Sequence, residues 1–341
     1  MQRLKPFRHF LCYNFPQKGG LTLNKLKTLM IMVLLVSALS GCSTSKPLIC
    51  TTVYPVEYLV KRIGGDFVDV CSLSDGSVIQ RATIKSNYQQ LIDQAAVVMT
   101  MGQLEPYLQI YLADLRRSRV DIVDLASTSV IYEFKRYTTA YVAGSEVILE
   151  SKYYEGMAFD RVDIYGKDPI LWIDPIATTS MAKHIRDWLI ENYPEEKKLF
   201  EDNYVVLASE LARLDAEFQS LKTRKLSMKF VSITPSFGNW QKAYGVSVYP
   251  VILSRYGVIP SDEQMQIIKQ RIISDGVQYI AFEPNLSEEL RELYNQLRSE
   301  LNLTQINLHN LHTLTQNDID GNKDYLTIMF ENLSLLESIG Q

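Results

Sequence analysis

The sequence predicts an α/β protein of two lobes, each a mainly parallel β-sheet flanked by helices, joined by one long connecting helix. Three observations carry this. Short apolar runs alternate with amphipathic ones from Leu48 to Val123, the alternation returns from Lys229 onward, and a helical period of nearly thirty residues lies between. Strands separated by single helices need crossover connections, which give parallel sheets covered on both faces.

The first lobe, residues 48–193, opens with a strand from Leu48 to Val53 and a helix from Pro55 to Ile63 that Gly64-Gly65 ends. A strand at Phe67 to Leu73, a helix from about Ser86 to Gln94, a strand at Ala96 to Met101, a helix from Glu105 to Arg116 and a strand at Val120 to Val123 follow. Residues 127–166 are rich in tyrosine and lean towards β-structure without a helical period, as a hairpin excursion or a functional flap would. The stretch Lys167 to Pro175 is mostly punctuation, with Asp174 as N-cap and Pro175 at the first position of a helix running to Tyr193.

Pro194 opens the connecting helix, 194–225, with Glu195 and Glu196 in its first turn and Lys222, Arg224 and Lys225 at its end, as the helix dipole favours. At about 40 Å it exceeds one small lobe, and so stiff a connector predicts modest hinge motion. The second lobe, 226–341, has strands at Lys229 to Ile233, Val246 to Ile252, Gln278 to Phe282 and Gln305 to Leu308. One of its helices begins at Ser261 with Gln264 three residues on, a capping box. The last helix runs from Asp324 to about Leu336, and no sequence repeat relates the lobes.

Residues 1–41 hold six basic residues and no acidic one, and run into an apolar stretch from Leu29 to Leu39. That stretch is too short to span a bilayer and has the length of a signal-peptide core. It ends in Leu39-Ser40-Gly41-Cys42, which resembles a bacterial lipobox. Cleavage before Cys42, its acylation, a tether over 42–47 and an extracytoplasmic domain anchored by lipid to a bacterial membrane are therefore expected.

Removing the six leader bases from the 35 of the whole chain leaves 29 against 39 acids, a formal charge of −10. No basic stripe is present to neutralise phosphates, which excludes nucleic acid as a partner, and a monomer is expected. Cys50 and Cys71 each fall in a strand; two buried free thiols are the expectation, with a disulfide open if the strands are neighbours.

No Gly-x-Ser-x-Gly elbow, phosphate-cradling loop, His-Glu-x-x-His or Cys-x-x-Cys occurs, and His184 lies mid-helix, so the chain is not read as an enzyme. His309 and His312, three apart, are the weak metal candidates by residue type; no third ligand lies nearby in sequence, and a solvated turn is the favoured reading. In a two-lobed design a ligand sits outside the carboxyl ends of the strands, which points to the loops at 75–83, 234–238 and 307–312.

Six motifs then occur in order. They are Thr51-Thr52-Val53-Tyr54-Pro55-Val56-Glu57-Tyr58-Leu59 followed by Arg62-Ile63-Gly64-Gly65-Asp66, then Leu104-Glu105-Pro106-Tyr107-Leu108, Trp172-Ile173-Asp174-Pro175, Phe282-Glu283-Pro284 and Lys323-Asp324-Tyr325-Leu326-Thr327-Ile328-Met329. Together they resemble the zinc and manganese solute-binding lipoproteins of metal ABC importers, over nearly all of the chain from Leu48. The resemblance implies a permease and an ATPase as partners, and a zinc or manganese ion held between the lobes by three histidines and a carboxylate.

Carried over by position, those four ligands fall on Gln80, Ile170, Thr234 (or Pro235) and His309. Ile170 has no lone pair, and neutral amides and hydroxyls are poor zinc ligands, so the chain resembles a divergent member lacking most metal ligands. The ligand is then expected to be other than a free metal ion, contacted by Gln80, Arg81, Thr234 and His309. The alternative is a surface adhesion or partner-binding lipoprotein with a disused cleft.

Overall fold

The computed structural model describes residues 46–76, 78–224 and 228–340; the expected leader, Cys42 and the tether up to residue 45 lie outside the described residues. In chain order the first half contributes β1 (Leu48–Thr51), α1 (Tyr54–Gly64), β2 (Asp69–Ser72), β3 (Ser74–Asp75), β4 (Thr83–Ile84), α2 (Tyr88–Gln94), β5 (Ala95–Thr100), α3 (Leu112–Arg117) and β6 (Asp121–Asp124). An excursion with β7 (Arg136–Val142) and β8 (Ser145–Ser151) leads to α4 (Pro175–Asn192) and α5 (Lys197–Thr223). The second half adds β9 (Lys229–Ser232), α6 (Asn239–Tyr244), β10 (Ser247–Pro250), α7 (Asp262–Ser274), β11 (Tyr279–Phe282), α8 (Glu288–Glu300), β12 (Thr304–Asn307), α9 (Gln316–Asp320) and α10 (Tyr325–Ile339).

The first sheet has the order β2-β1-β5-β6 and the second β10-β9-β11-β12, and every pairing in both is parallel. Each half therefore winds outward from its first strand in one direction and then crosses to the other side. That crossing leaves a crevice at the carboxyl ends of β1 and β5, and another at those of β9 and β11. The central strands are mainly apolar and are buried except at their first one or two residues, as two-sided cover by helices requires.

Helix α5 has 27 residues, about 40 Å, and lies against α1, α4 and α10. One core unites Ile49 and Leu59 with Leu211 and Phe218 of α5 and Tyr325 and Leu333 of α10. A second gathers Phe134, Tyr153 and Tyr165 of the excursion onto Val231, Ile252 and Ile280 of the second sheet.

Several expectations change. The segment expected as one helix from Glu105 to Arg116 is a 3-10 turn at Pro106–Ile110 followed by the short α3. The buried Tyr107 hydroxyl donates to Glu105 Oε1 at 2.9 Å, and that anchor winds the first turn tightly. Of the two readings for 127–166, the hairpin holds, with seven paired positions and a turn at Ala143-Gly144, where φ is +50° and +83°. Cys50 and Cys71 are not free thiols. They are register partners on neighbouring parallel strands, 4.5 Å apart at Cα, and form a disulfide.

The expected caps are present: Asp174 accepts from Ile176 N beside Pro175, and Ser261 and Gln264 close a capping box.

Candidate functional site

The crevice of each sheet is built alike. After β1, the Thr52 hydroxyl donates at 2.9 Å to Glu105, which follows β5, and Met101 N donates to the same carboxylate at 2.7 Å. After β9, the Thr234 hydroxyl donates at 2.8 Å to Glu283, which follows β11; Ser236 Oγ and Asn310 Nδ2 donate to it at 2.7 Å each. In both halves the glutamate precedes a proline, Pro106 or Pro284, and is fully buried. Burial raises both carboxyls, Glu105 to about 7 and Glu283 above its ordinary value, against the lowering effect of their donors. These carboxyls tie the loops at the strand ends together.

Four of the five cleft residues expected from sequence are buried: Gln80, Ile170, Thr234 and His309. Gln80 and Arg81 sit on a 3-10 turn at Ile79–Arg81, in the loop that β3 and β4 pin at its base. Arg81 crosses to the second half. Its Nε and Nη2 donate to Gly257 O at 3.1 and 2.7 Å, and its Nη1 pairs with Glu289 at 2.5 Å. Gly257 permits this closeness, because a Cβ there would stand 2.9 Å from Arg81 Cγ and its φ is +68°. Gln80 Nε2 is buried and has no hydrogen-bond partner among the described residues.

Ile170 uses only its backbone: its N–H donates to Asp168 Oδ1 at 3.2 Å and its carbonyl accepts from Asn239 Nδ2 at 2.8 Å. Asp168, also bonded by Asn239 at 2.8 Å, has no ion pair among the described residues, and burial pushes its carboxyl up to about 8. Thr234 is committed to Glu283.

The His309-x-x-His312 pair is not a solvated turn, since the residues are 7% and 1% exposed. Leu311, at φ +62°, breaks the helical path between them, so the two rings do not share a face. His309 Nδ1 accepts from Leu311 N at 2.8 Å, which leaves the proton on Nε2 to donate to Asp318 Oδ2 at 3.1 Å. Both of its ring nitrogens are thus used. His312 lies at 6.1 Å centroid distance from Trp172, both its ring nitrogens lack hydrogen-bond partners among the described residues, and burial lowers its pKa to about 4. Among the described residues no three His, Cys, Asp or Glu side chains form a group that could hold a metal ion.

The fold therefore gathers Gln80 and Arg81 against Gly257, and Thr234 against Glu283, but directs His309 into the scaffold of α9 and α10. Sequence reasoning singled out no role for Glu105, Asp168 or Glu283. The repeated Glu-Pro after the third strand of each sheet was the available signal.

Comparison with known proteins agrees with this architecture. A family model described as ZnuA, zinc-uptake complex component A, periplasmic, matches residues 49–339. The zinc-binding lipoprotein AdcA of Streptococcus pneumoniae is 23% identical over 318 residues, covering 91% of this chain and 60% of that protein. The high-affinity zinc uptake system protein ZnuA of Bacillus subtilis is 24% identical over 173 residues, covering 51% of this chain and 53% of that one. The chain thus spans about three fifths of the length of its AdcA relatives.

Among solved structures, the periplasmic zinc-binding protein TroA of Treponema pallidum superposes with a TM-score of 0.67 at 19% identity, over 86% of this chain and 99% of that one. The laminin-binding protein Lmb of Streptococcus agalactiae, titled a bifunctional protein with adhesin and metal-transporting activity, gives 0.67 at 20% identity over 86% and 100%. At these identities the structures establish the two-lobed fold alone. The family match over most of the chain shows the family: this protein belongs to the ZnuA family, described as periplasmic zinc-uptake complex component A.

Proposed function

We propose that the chain is a lipid-anchored, extracytoplasmic solute-binding protein that delivers its ligand to the permease and ATPase of a metal-type importer. We propose further that the ligand held between the lobes is something other than a free zinc or manganese ion. The observation that carries this is the donor set at the four expected ligand positions. Gln80 offers an amide, Ile170 nothing, Thr234 a hydroxyl already bound to Glu283, and His309 a ring whose two nitrogens are occupied. A zinc site needs three or four good donors, and no such group is assembled among the described residues.

On this reading Arg81 is the closing contact. It carries the first half's loop onto Gly257 and Glu289 of the second, so closure hides Gln80 and presents a shut cleft to the permease. Metal analysis of the purified full chain, with titrations of zinc and manganese, tests the proposal. The expected result is no stoichiometric metal and no submicromolar affinity; tight binding of either ion at one per chain overturns it.

A second reading, a surface lipoprotein that binds a macromolecule, is supported by the exposed Val142, Val147 and Leu149 of the hairpin. If no metal and no small metabolite raises the melting temperature, that reading takes precedence.

A further inference from the structure

Strand β8 has β7 on one side and no strand on the other among the described residues. The two-residue turn at Ala143-Gly144 makes Val142 and Ser145 a hydrogen-bonded pair, and antiparallel alternation fixes the rest. Ser145, Val147, Leu149 and Ser151 therefore commit their main-chain groups to β7. The N–H and C=O groups of Glu146, Ile148 and Glu150 lie along the open edge, and all three residues are exposed.

Proteins usually protect such an edge with proline, a bulge or charge. Strand β8 has no proline, and its seven pairs with β7 run in unbroken register. Its two charged residues are turned back onto their own chain, Glu146 to Lys222 at 3.3 Å and Glu150 to Lys135 and Lys242 at 3.6 and 3.4 Å. Between them lie the exposed Val147, Ile148 and Leu149, residues that suit a strand. Lys152, one residue past the strand, is exposed and has no ion pair among the described residues.

We propose that a second copy of this chain pairs with this edge, β8 against β8 and antiparallel, about a two-fold axis at Leu149. Charge selects that register. An axis at Ile148 would set Glu146 opposite Glu150 of the second copy, whereas an axis at Leu149 sets Glu146 opposite Lys152 of the second copy, twice over by symmetry. Leu149 then meets its own counterpart, and the two hairpins become one four-stranded sheet with both open edges of β8 used. A contact of seven residues a side is small, so the dimer is weak and reversible, and the monomer expected from sequence is its dilute form. No cleft residue takes part, so the inference stands apart from the ligand reading.

Sedimentation velocity of the purified full chain from about 1 μM to about 1 mM, the span of weak affinities, tests this. A dimer fraction that rises with concentration is expected, with slowed hydrogen exchange at the amides of Glu146, Ile148 and Glu150. Ile148→Pro removes an outward N–H and leaves the bonds to β7 in place, so it should fold and weaken association by at least about tenfold. Lys152→Glu and Glu146→Lys should each weaken association about tenfold alone. An equimolar mixture of those two variants should recover it, because opposite charges then meet at both ends of the axis.

Melting temperatures establish that the variants fold; should Ile148→Pro not fold, the mixing experiment decides alone. A single monomeric species at every concentration, association unchanged in folded Ile148→Pro, or no recovery in the mixture overturns the proposal. Metal titrations of the cleft are unaffected by these variants, so the two proposals fail separately.

Discussion

Asp168 accepts two hydrogen bonds and has no ion pair among the described residues, and its carboxyl titrates near 8 in place of 3.8. The folded state therefore holds this proton more tightly than the unfolded chain does. The stability it supports is complete below about pH 4 and is lost as pH rises through 8. Asp168→Asn keeps an oxygen for Ile170 N–H and Asn239 and cannot ionise. Urea unfolding should find the variant more stable than the parent at pH 9 and less favoured at pH 5.

His312 has the opposite sign. Its folded value of about 4 lies below the ordinary 6.5, so the unfolded chain takes up the proton first and stability falls as pH drops from 6.5 to 4. His312→Leu should remove about one proton from that slope and cost little at pH 7, since it also removes two unpartnered buried nitrogens. The sequence identified this histidine pair but not its burial. An i, i+3 spacing reads as one helical face, whereas the left-handed backbone at Leu311 turns both rings inward.

At the scale of elements, the disulfide joins β1 and β2 across a separation of 21 residues. Closing a loop of that length stabilises a fold by about 3 kcal/mol in the chain-entropy picture. The double variant Cys50→Ser, Cys71→Ser should lose about that much in denaturant titration, and the parent under a strong reductant should behave alike. The pairing was not legible because sequence order does not state which strands are neighbours. The hairpin was half legible for another reason: most of β7 and β8 is exposed on both faces, so no alternation of apolar and polar residues marks them. By contrast, α4, α5, α7 and α10 were plain, because a sustained 3.6-residue period announced all four and caps mark α4, α7 and α10.

At the scale of the molecule, the two halves share one strand order and one polar joint. Thr52 with Glu105 and Thr234 with Glu283 occupy equivalent places, and the Glu-Pro pair is the one trace of this that the sequence shows. Equivalent joints should have equivalent worth. Thr52→Val and Thr234→Val each leave a buried carboxyl short of a donor, and each should cost about 1–3 kcal/mol, measurable by calorimetry. The fold class was readable because alternation of apolar runs dictates it. The state of the cleft was not, because whether His309 faces a ligand or Asp318 depends on a loop conformation that residue type alone does not fix.

The return of α10 to the core of α1 and α5 also has a consequence for biosynthesis. Residues 325–339 leave the ribosome long after Ile49 and Leu59, yet they cover the same apolar surface. Contacts so distant along the chain close slowly, and the first sheet stays incompletely shielded until they form. A nascent chain therefore leaves part of the surface around Ile49 and Leu59 uncovered until residues 325–339 have emerged, which defers consolidation of its amino-terminal half until the whole chain is present.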